Sequence, residues 1–253
     1  MVLNRLVSWL FGLSLLMIFE LTLSQPKNSF GFMAVSFLLL VLSVWRLAGY
    51  QFSRVKFWNF FITPFIFLAS SWLFIIFLDG GWLRQLVIFA VVVLNWLFLK
   101  VMFLYLYHRP KYQAHTLGNI SGYISLVSVF FLIAGFFSLK IFLGISFWPL
   151  TGAVFIIVVL LIYQLLLASQ VPISSIFPYA TVIALVLSEI FIVVNLLPVS
   201  IYVSSLVVSL SYYLLSGLSR NWLLNIKERG VLIRYLTIGL TSLIIILASA
   251  KWI

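Results

Sequence analysis

One carboxylic acid lies inside a long apolar stretch of this sequence, and it is the first residue to consider for chemistry. The stretch covers residues 174–198, and twelve Val, Ile, Leu and Phe residues lie around Glu189 between Val182 and Leu197. Together these side chains favour membrane insertion by roughly 4–6 kcal/mol, whereas one acid costs about 2–3 kcal/mol. A helix carrying Glu189 can therefore enter a bilayer, where ionisable residues often belong to proton or cation pathways.

Polar residues spaced by seven accompany Glu189 on the same predicted helix. Thr181, Ser188 and Asn195 share one helical face. Glu189 flanks that face, so we predict that it points into the bundle, about eight residues or roughly 12 Å from the outer end. Two interpretations remain open. A protonated Glu189 would fasten this helix to the serines of the next one, or Glu189, Ser188 and Asn195 would form a proton or cation site.

A second acid, Glu20, is predicted about five residues from the outer end of the first apolar span. It would join Glu189 in one outward-facing polar cavity if their helices touch. Alternatively, its side chain reaches the membrane interface and pairs with Lys27 or Lys140. We favour the interfacial position, because nothing in the sequence brings the two helices together.

Both histidines of the chain lie in one basic loop. His108, Arg109, Lys111 and His115 have the charges and donors to bind a lipid phosphate headgroup. The alternative, which we favour, is a loop whose basic residues only set the orientation of the chain. Two histidines are too few for a metal centre without further ligands, and we predict neither a metal nor a cofactor.

One lysine falls inside the fourth apolar span. Lys100 is predicted about seven residues from the inner end, within reach of the headgroups for a long side chain. A buried neutral amine could instead form a Schiff base. Because the sequence offers no convincing counter-ion for a Schiff base, we favour the interpretation in which the Lys100 side chain extends to the headgroups.

Composition identifies the solvent of this chain. Of its 253 residues 65% are hydrophobic and 8% are charged, whereas soluble domains carry about 25% charged residues. The apolar runs are continuous and about twenty residues long, which is the length of a membrane-spanning helix and not the alternation of a barrel strand. The chain has no cysteine, which excludes disulfides and thiolate chemistry.

Gly, Pro and charged residues divide the chain into about nine spans, and we predict an all-α polytopic helical bundle. Residues 1–253 would form a single transmembrane domain without a soluble domain. Eight or seven spans would remain if the joints near Val171 or Pro198 were re-entrant breaks. The predicted spans are Leu6–Ser24, Phe30–Trp45, Phe57–Leu78, Trp82–Tyr107, Leu117–Leu143, Phe147–Ser169, Ile176–Leu197, Val199–Gly217 and Val231–Ala250.

Basic residues predict the orientation of the nine spans. With the N-terminus inside, ten of the fifteen Lys and Arg residues fall on the cytoplasmic side and four fall outside, namely Lys27, Arg84, Lys140 and Lys251. This asymmetry is the usual signature of cytoplasmic loops. It accounts for most of the net charge of +11 without a nucleic-acid partner, and it places the C-terminus outside.

Three classes of function are consistent with these features. We expect a non-catalytic membrane subunit or scaffold, with membrane lipids and a partner subunit or a second copy as its partners. The alternative is a small transporter or channel that uses Glu189, although the matching broken helices of transporters are missing. A lipid-modifying enzyme comes third, because the cytoplasmic side offers only Glu228 as a carboxylate. The expected location is a prokaryotic cytoplasmic membrane.

Overall fold

The computed structural model describes residues 2–49, 55–107, 116–224 and 229–250, and these ranges are helical without strands. This confirms the all-α prediction. A short 3₁₀ turn, Pro26–Asn28, joins the first two helices. The described helices are α1 (Val2–Ser24), α2 (Ser29–Leu47), α3 (Val55–Ile76), α4 (Gly81–Tyr107), α5 (Thr116–Leu143), α6 (Phe147–Ala168), α7 (Ile173–Val194), α8 (Ile201–Leu223) and α9 (Arg229–Ser249).

Eight of the described helices, α1 to α8, are long and apolar enough to cross a membrane. The chain is therefore a multi-pass integral membrane protein with the predicted helical bundle. In α9 the described apolar stretch is shorter, Ile233–Ile246. At 1.5 Å per residue the 21 residues of α9 would extend about 32 Å, which is long enough for a crossing. Because the apolar stretch within α9 is shorter, a ninth crossing stays a prediction.

The two joints near Val171 and Pro198, where the sequence also allowed re-entrant breaks, are turns between separate helices. After α6, Gln170 has a left-handed φ of 64°. The N–H of Gln170 bonds to the carbonyl of Leu167, and the N–H of Val171 bonds to that of Leu166. This pattern is a Schellman motif, which satisfies the last carbonyls of a helix and ends it. After α7, Pro198 precedes Ser200, whose hydroxyl caps α8 at the Val203 N–H.

The chain forms two compact units, and their boundary at Ile124 and Ser125 falls inside α5. The first unit contains α1 to α4, in which α1 packs on α2 and α4, and α3 packs on α2 and α4. In its interior the indole N–H of Trp72 donates to the Ser36 hydroxyl at 3.0 Å, and the Trp72 ring lies 4.7 Å from that of Phe19. This group ties α1, α2 and α3 together. Whether the chain is a single domain stays a prediction.

The second unit contains the rest of α5 and the helices α6 to α9. Here α7 packs between α6 and α8, and α8 packs on α9. Residues 131–138 of α5 are all buried. The ring of Phe191 lies 5.1 Å from the rings of both Phe137 and Phe147. The ends of α5 and α7 and the start of α6 are therefore at one level, as alternating spans require.

Helix α8 buries an unusual number of hydroxyl groups. Five of its serines are buried. Four of them donate to carbonyls of α8 itself: Ser205 to Ile201, Ser209 to Leu206, Ser211 to Val207 and Ser216 to Tyr213. A hydroxyl bonded to its own helix needs no partner on a neighbouring helix. These four bonds therefore allow polar side chains inside the unit without linking α8 to another element.

Close approach of α8 and α9 depends on a glycine. A Cβ atom at Gly217 would collide with the ring of Tyr235, and that ring is stacked on Tyr213 at 5.3 Å. A Cβ atom at this position would have to displace the ring from the stack or separate the two helices. Gly152 in α6 differs, because nothing lies within 4 Å of the position of its Cβ.

We predict that Gly217→Ala loosens the contact between α8 and α9. Overpacking costs about 1–3 kcal/mol, which exceeds the gain of about 1 kcal/mol from replacing glycine in a helix. Gly152→Ala is the matched control and should be neutral or stabilising. The measurement is the unfolding midpoint of the purified protein in detergent. Equal midpoints for the two variants would contradict the packing described for Gly217.

We also predict nine crossings, because the basic residues place the loop after α8 inside and the C-terminus outside. A reporter inserted after Leu224 should be active in the cytoplasm, and the same reporter fused at the C-terminus should be active outside. If both reporters are found on one side, α9 does not cross the membrane.

Candidate functional site

Helix α7, which carries the predicted site, has two distinct faces. Its buried face consists of Ile176, Ala180, Ile183, Ala184, Leu187, Ser188, Phe191 and Val194. The exposed residues recur on the other side with the same helical spacing: Val182, Leu185, Glu189 and Val193. Since each helical residue is rotated by about 100° from the previous one, Ser188 and Glu189 fall on different faces. The buried face packs against α6 and α8.

The prediction that Glu189 faces the bundle interior is wrong. Its side chain is exposed between the exposed apolar residues Leu185 and Val193. It forms no hydrogen bond or ion pair with the residues that the structure describes. Because α7 ends at Val194, Glu189 lies five residues or about 8 Å from the helix end, and not the predicted 12 Å. The helix ends earlier than the hydrophobic pattern suggested.

The other polar residues of the predicted ion site do not gather around Glu189. The hydroxyl of Ser188 is buried and donates to the Ala184 carbonyl at 2.8 Å. Asn195 caps the end of α7 and accepts a hydrogen bond from Lys140. The serines expected to bond to Glu189 are buried in α8, where Ser205 and Ser209 donate to their own helix. The predicted hydrogen bond between Glu189 and a serine of α8 is therefore not formed.

Glu20 lies on the surface of the first unit. It is exposed four residues before the end of α1, and its carboxylate accepts a hydrogen bond from the Gln85 amide of α4 at 3.3 Å. An amide thus takes the place of the predicted lysine partner. The interfacial position that we expected agrees with this exposure, while a polar cavity shared with Glu189 stays a prediction.

The structure reveals a polar contact that sequence reasoning missed. The ammonium of Lys140, in the last turn of α5, donates to the Asn195 carboxamide oxygen at 2.5 Å. It also lies 5.7 Å from the centre of the Phe147 ring. Lys140 and Asn195 border a cavity of about 140 Å³ between the end of α5, the turn after α7 and the start of α8. The only available sequence signal was a lysine near an outer helix end.

The remaining sequence candidates have different outcomes. His108, Arg109, Lys111 and His115, the predicted headgroup site, lie outside the described residues. Lys100 is exposed, and its ammonium lies 4.7 Å from the centre of the Trp96 ring, a cation–π distance. An exposed amine does not favour Schiff-base chemistry. Among the described residues, no group of three or more His, Asp or Glu side chains could hold a metal ion.

We predict that Glu189→Leu leaves the unfolding free energy of the purified protein unchanged or raises it. The exposed carboxyl has no described partner to lose, and leucine suits an apolar surface. Ser188→Leu is the neighbouring control, and it should cost about 1–3 kcal/mol because it overpacks a buried position. Unfolding in detergent measures both. A large loss for Glu189→Leu would show that its carboxyl is bonded inside the protein.

Comparison with known proteins identifies no relative of this chain. A scan against protein-family models finds no matching family, and searches of the curated proteins and of the solved structures find no match.

Proposed function

We propose that this protein is a non-catalytic subunit of a membrane complex, and that the exposed face of α7 binds a transmembrane helix of its partner. The single observation that supports this function is Glu189, an acid without a described partner on an otherwise apolar, exposed helix face. Membrane proteins normally keep such groups paired or turned towards protein or water. A partner helix would provide that environment.

The direction of the side chain makes escape to water unfavourable. Side chains in a helix lean towards its N-terminus. The near end of α7 is its C-terminus, so the carboxyl of Glu189 leans away from the nearest membrane interface. Leu185 lies one turn before it and is 49% exposed, so the carboxyl leans over apolar surface. This geometry favours a protein partner over solvation by the headgroups.

The chemistry of the face defines the partner that fits it. Val182, Leu185 and Val193 offer apolar side chains that are 62%, 49% and 58% exposed. A complementary helix would present apolar residues to these three and a Lys or Arg at the depth of Glu189. Opposite charges facing each other within a membrane are a common solution for intramembrane ions. Membrane lipids would cover the remaining apolar surface.

The exposed position of Glu189 also separates this proposal from the transporter alternative. An ion-coupled transporter needs its carboxylate at a polar site between helices near the midplane. Glu189 is on the outer surface of the second unit, and the cavity in that unit is bordered by Lys140. The observed geometry therefore favours a subunit. We further propose a prokaryotic cytoplasmic membrane as its location, supported by the excess of basic residues on one side.

A photo-crosslinking amino acid at position 185 tests the proposal in native membranes. We expect one discrete protein adduct from this position and none from Ile156, which is 61% exposed on α6. Glu189→Gln should reduce the adduct about fivefold or more, because an interhelical polar contact in a membrane is worth about 1–2 kcal/mol. Glu20→Gln, which changes an exposed acid of the first unit, should leave the adduct unchanged.

The possible adducts distinguish the occupants of this face. A partner with a basic residue in its crosslinked helix supports the proposal. A crosslink between two copies of this chain would show that the partner is a second copy and that the protein forms a homo-oligomer. Adducts with lipid alone, or an adduct that is unaffected by Glu189→Gln, would overturn it.

A further inference from the structure

The cavity beside Lys140 has the properties of an anion site. Its polar lining residues are Lys140, Asn195 and Ser204. The lysine ammonium has three N–H donors. One of them donates a hydrogen bond to the Asn195 carboxamide oxygen. No described carboxylate forms an ion pair with Lys140. A half-buried ammonium with two remaining donors on a cavity wall calls for an acceptor from outside the chain.

Nearby carbonyl groups do not take up these donors. In the turn after α7, the carbonyls of Phe191, Val193 and Val194 accept hydrogen bonds from the N–H groups of Asn195, Leu196 and Leu197. These three carbonyls already hold backbone hydrogen bonds, and no described backbone carbonyl accepts a hydrogen bond from Lys140. The cavity is also bordered by Ile201, the first residue of α8. The positive end of a helix dipole therefore adds to the charge of Lys140.

The size and the walls of the cavity limit the occupant. Its volume of about 140 Å³ corresponds to roughly four or five water molecules at about 30 Å³ each, which is room for one phosphate group. The other walls are apolar and include Phe137, Ile141 and Val194. Ile141 and Leu196 are 61% and 76% exposed, so an apolar chain attached to the phosphate has apolar surface to follow.

We propose that this cavity binds a phosphate group, with the ammonium of Lys140 as its main donor and Asn195 holding that ammonium in place. The phosphate belongs either to the headgroup of an anionic lipid or to free inorganic phosphate. The site is independent of the α7 face that carries Glu189, and it differs from the basic loop at residues 108–115.

Binding to the purified full chain in detergent tests the site with three probes: dihexanoyl phosphatidic acid, dihexanoyl phosphatidylcholine and inorganic phosphate. We expect the phosphatidic acid to bind, and Lys140→Met to weaken it at least about tenfold, because a lost charge-assisted hydrogen bond costs one tenfold step in affinity or more. Lys140→Arg should retain binding. Lys27→Met, which removes an exposed lysine of the first unit, should change nothing.

Asn195→Asp keeps the test decisive even if Lys140→Met fails to fold. The aspartate has the shape of asparagine and would form an ion pair with Lys140, so the fold should survive while phosphate binding is lost. Binding of inorganic phosphate that depends equally on Lys140 would support the site and identify free phosphate as the source. Equal binding of the phosphatidylcholine, unchanged binding in both variants, or no binding of any probe would overturn the proposal.

Discussion

Hydrocarbon offers no hydrogen-bond partner, and this constraint explains how many of the described polar side chains are bonded. The simplest response is local, as when Ser188 or Ser138 donates to the carbonyl four residues earlier. The second response is a link between helices, as between Trp72 and Ser36. Glu189 follows neither pattern, and for that reason it carries the functional proposal. A group that the chain itself leaves without a partner indicates where another molecule is needed.

Lys140 meets the same constraint at a helix end. Its ammonium lies in the last turn of α5, where the negative end of the helix dipole favours a cation. The Asn195 carboxamide oxygen accepts a hydrogen bond from this ammonium. The lysine thereby connects the end of α5 to the end of α7. Its charge stays uncompensated by any described acid, and the wall of the cavity becomes positive. Structural support and ligand binding are therefore compatible roles for one side chain.

The sequence was sufficient for the elements and insufficient for their contacts. Hydrophobic run length and turn residues predicted all nine described helices, including the joints at Gln170 and Pro198, because these signals are local. The orientation of Glu189 was not predicted correctly. Neighbouring helical residues differ by about 100°, so a polar seam through Ser188 says little about the next residue. Nothing local could reveal the contact between Lys140 and Asn195, since it joins residues 55 positions apart.

The serines of α8 have a mechanical consequence. Because Ser205, Ser209, Ser211 and Ser216 bond within their own helix, sliding α8 along its neighbours would break none of these hydrogen bonds. The close approach of Gly217 to the Tyr235 ring opposes such a movement by steric contact. A shift of α8 along its axis would therefore leave these four hydroxyls bonded, even where it carried them next to lipid.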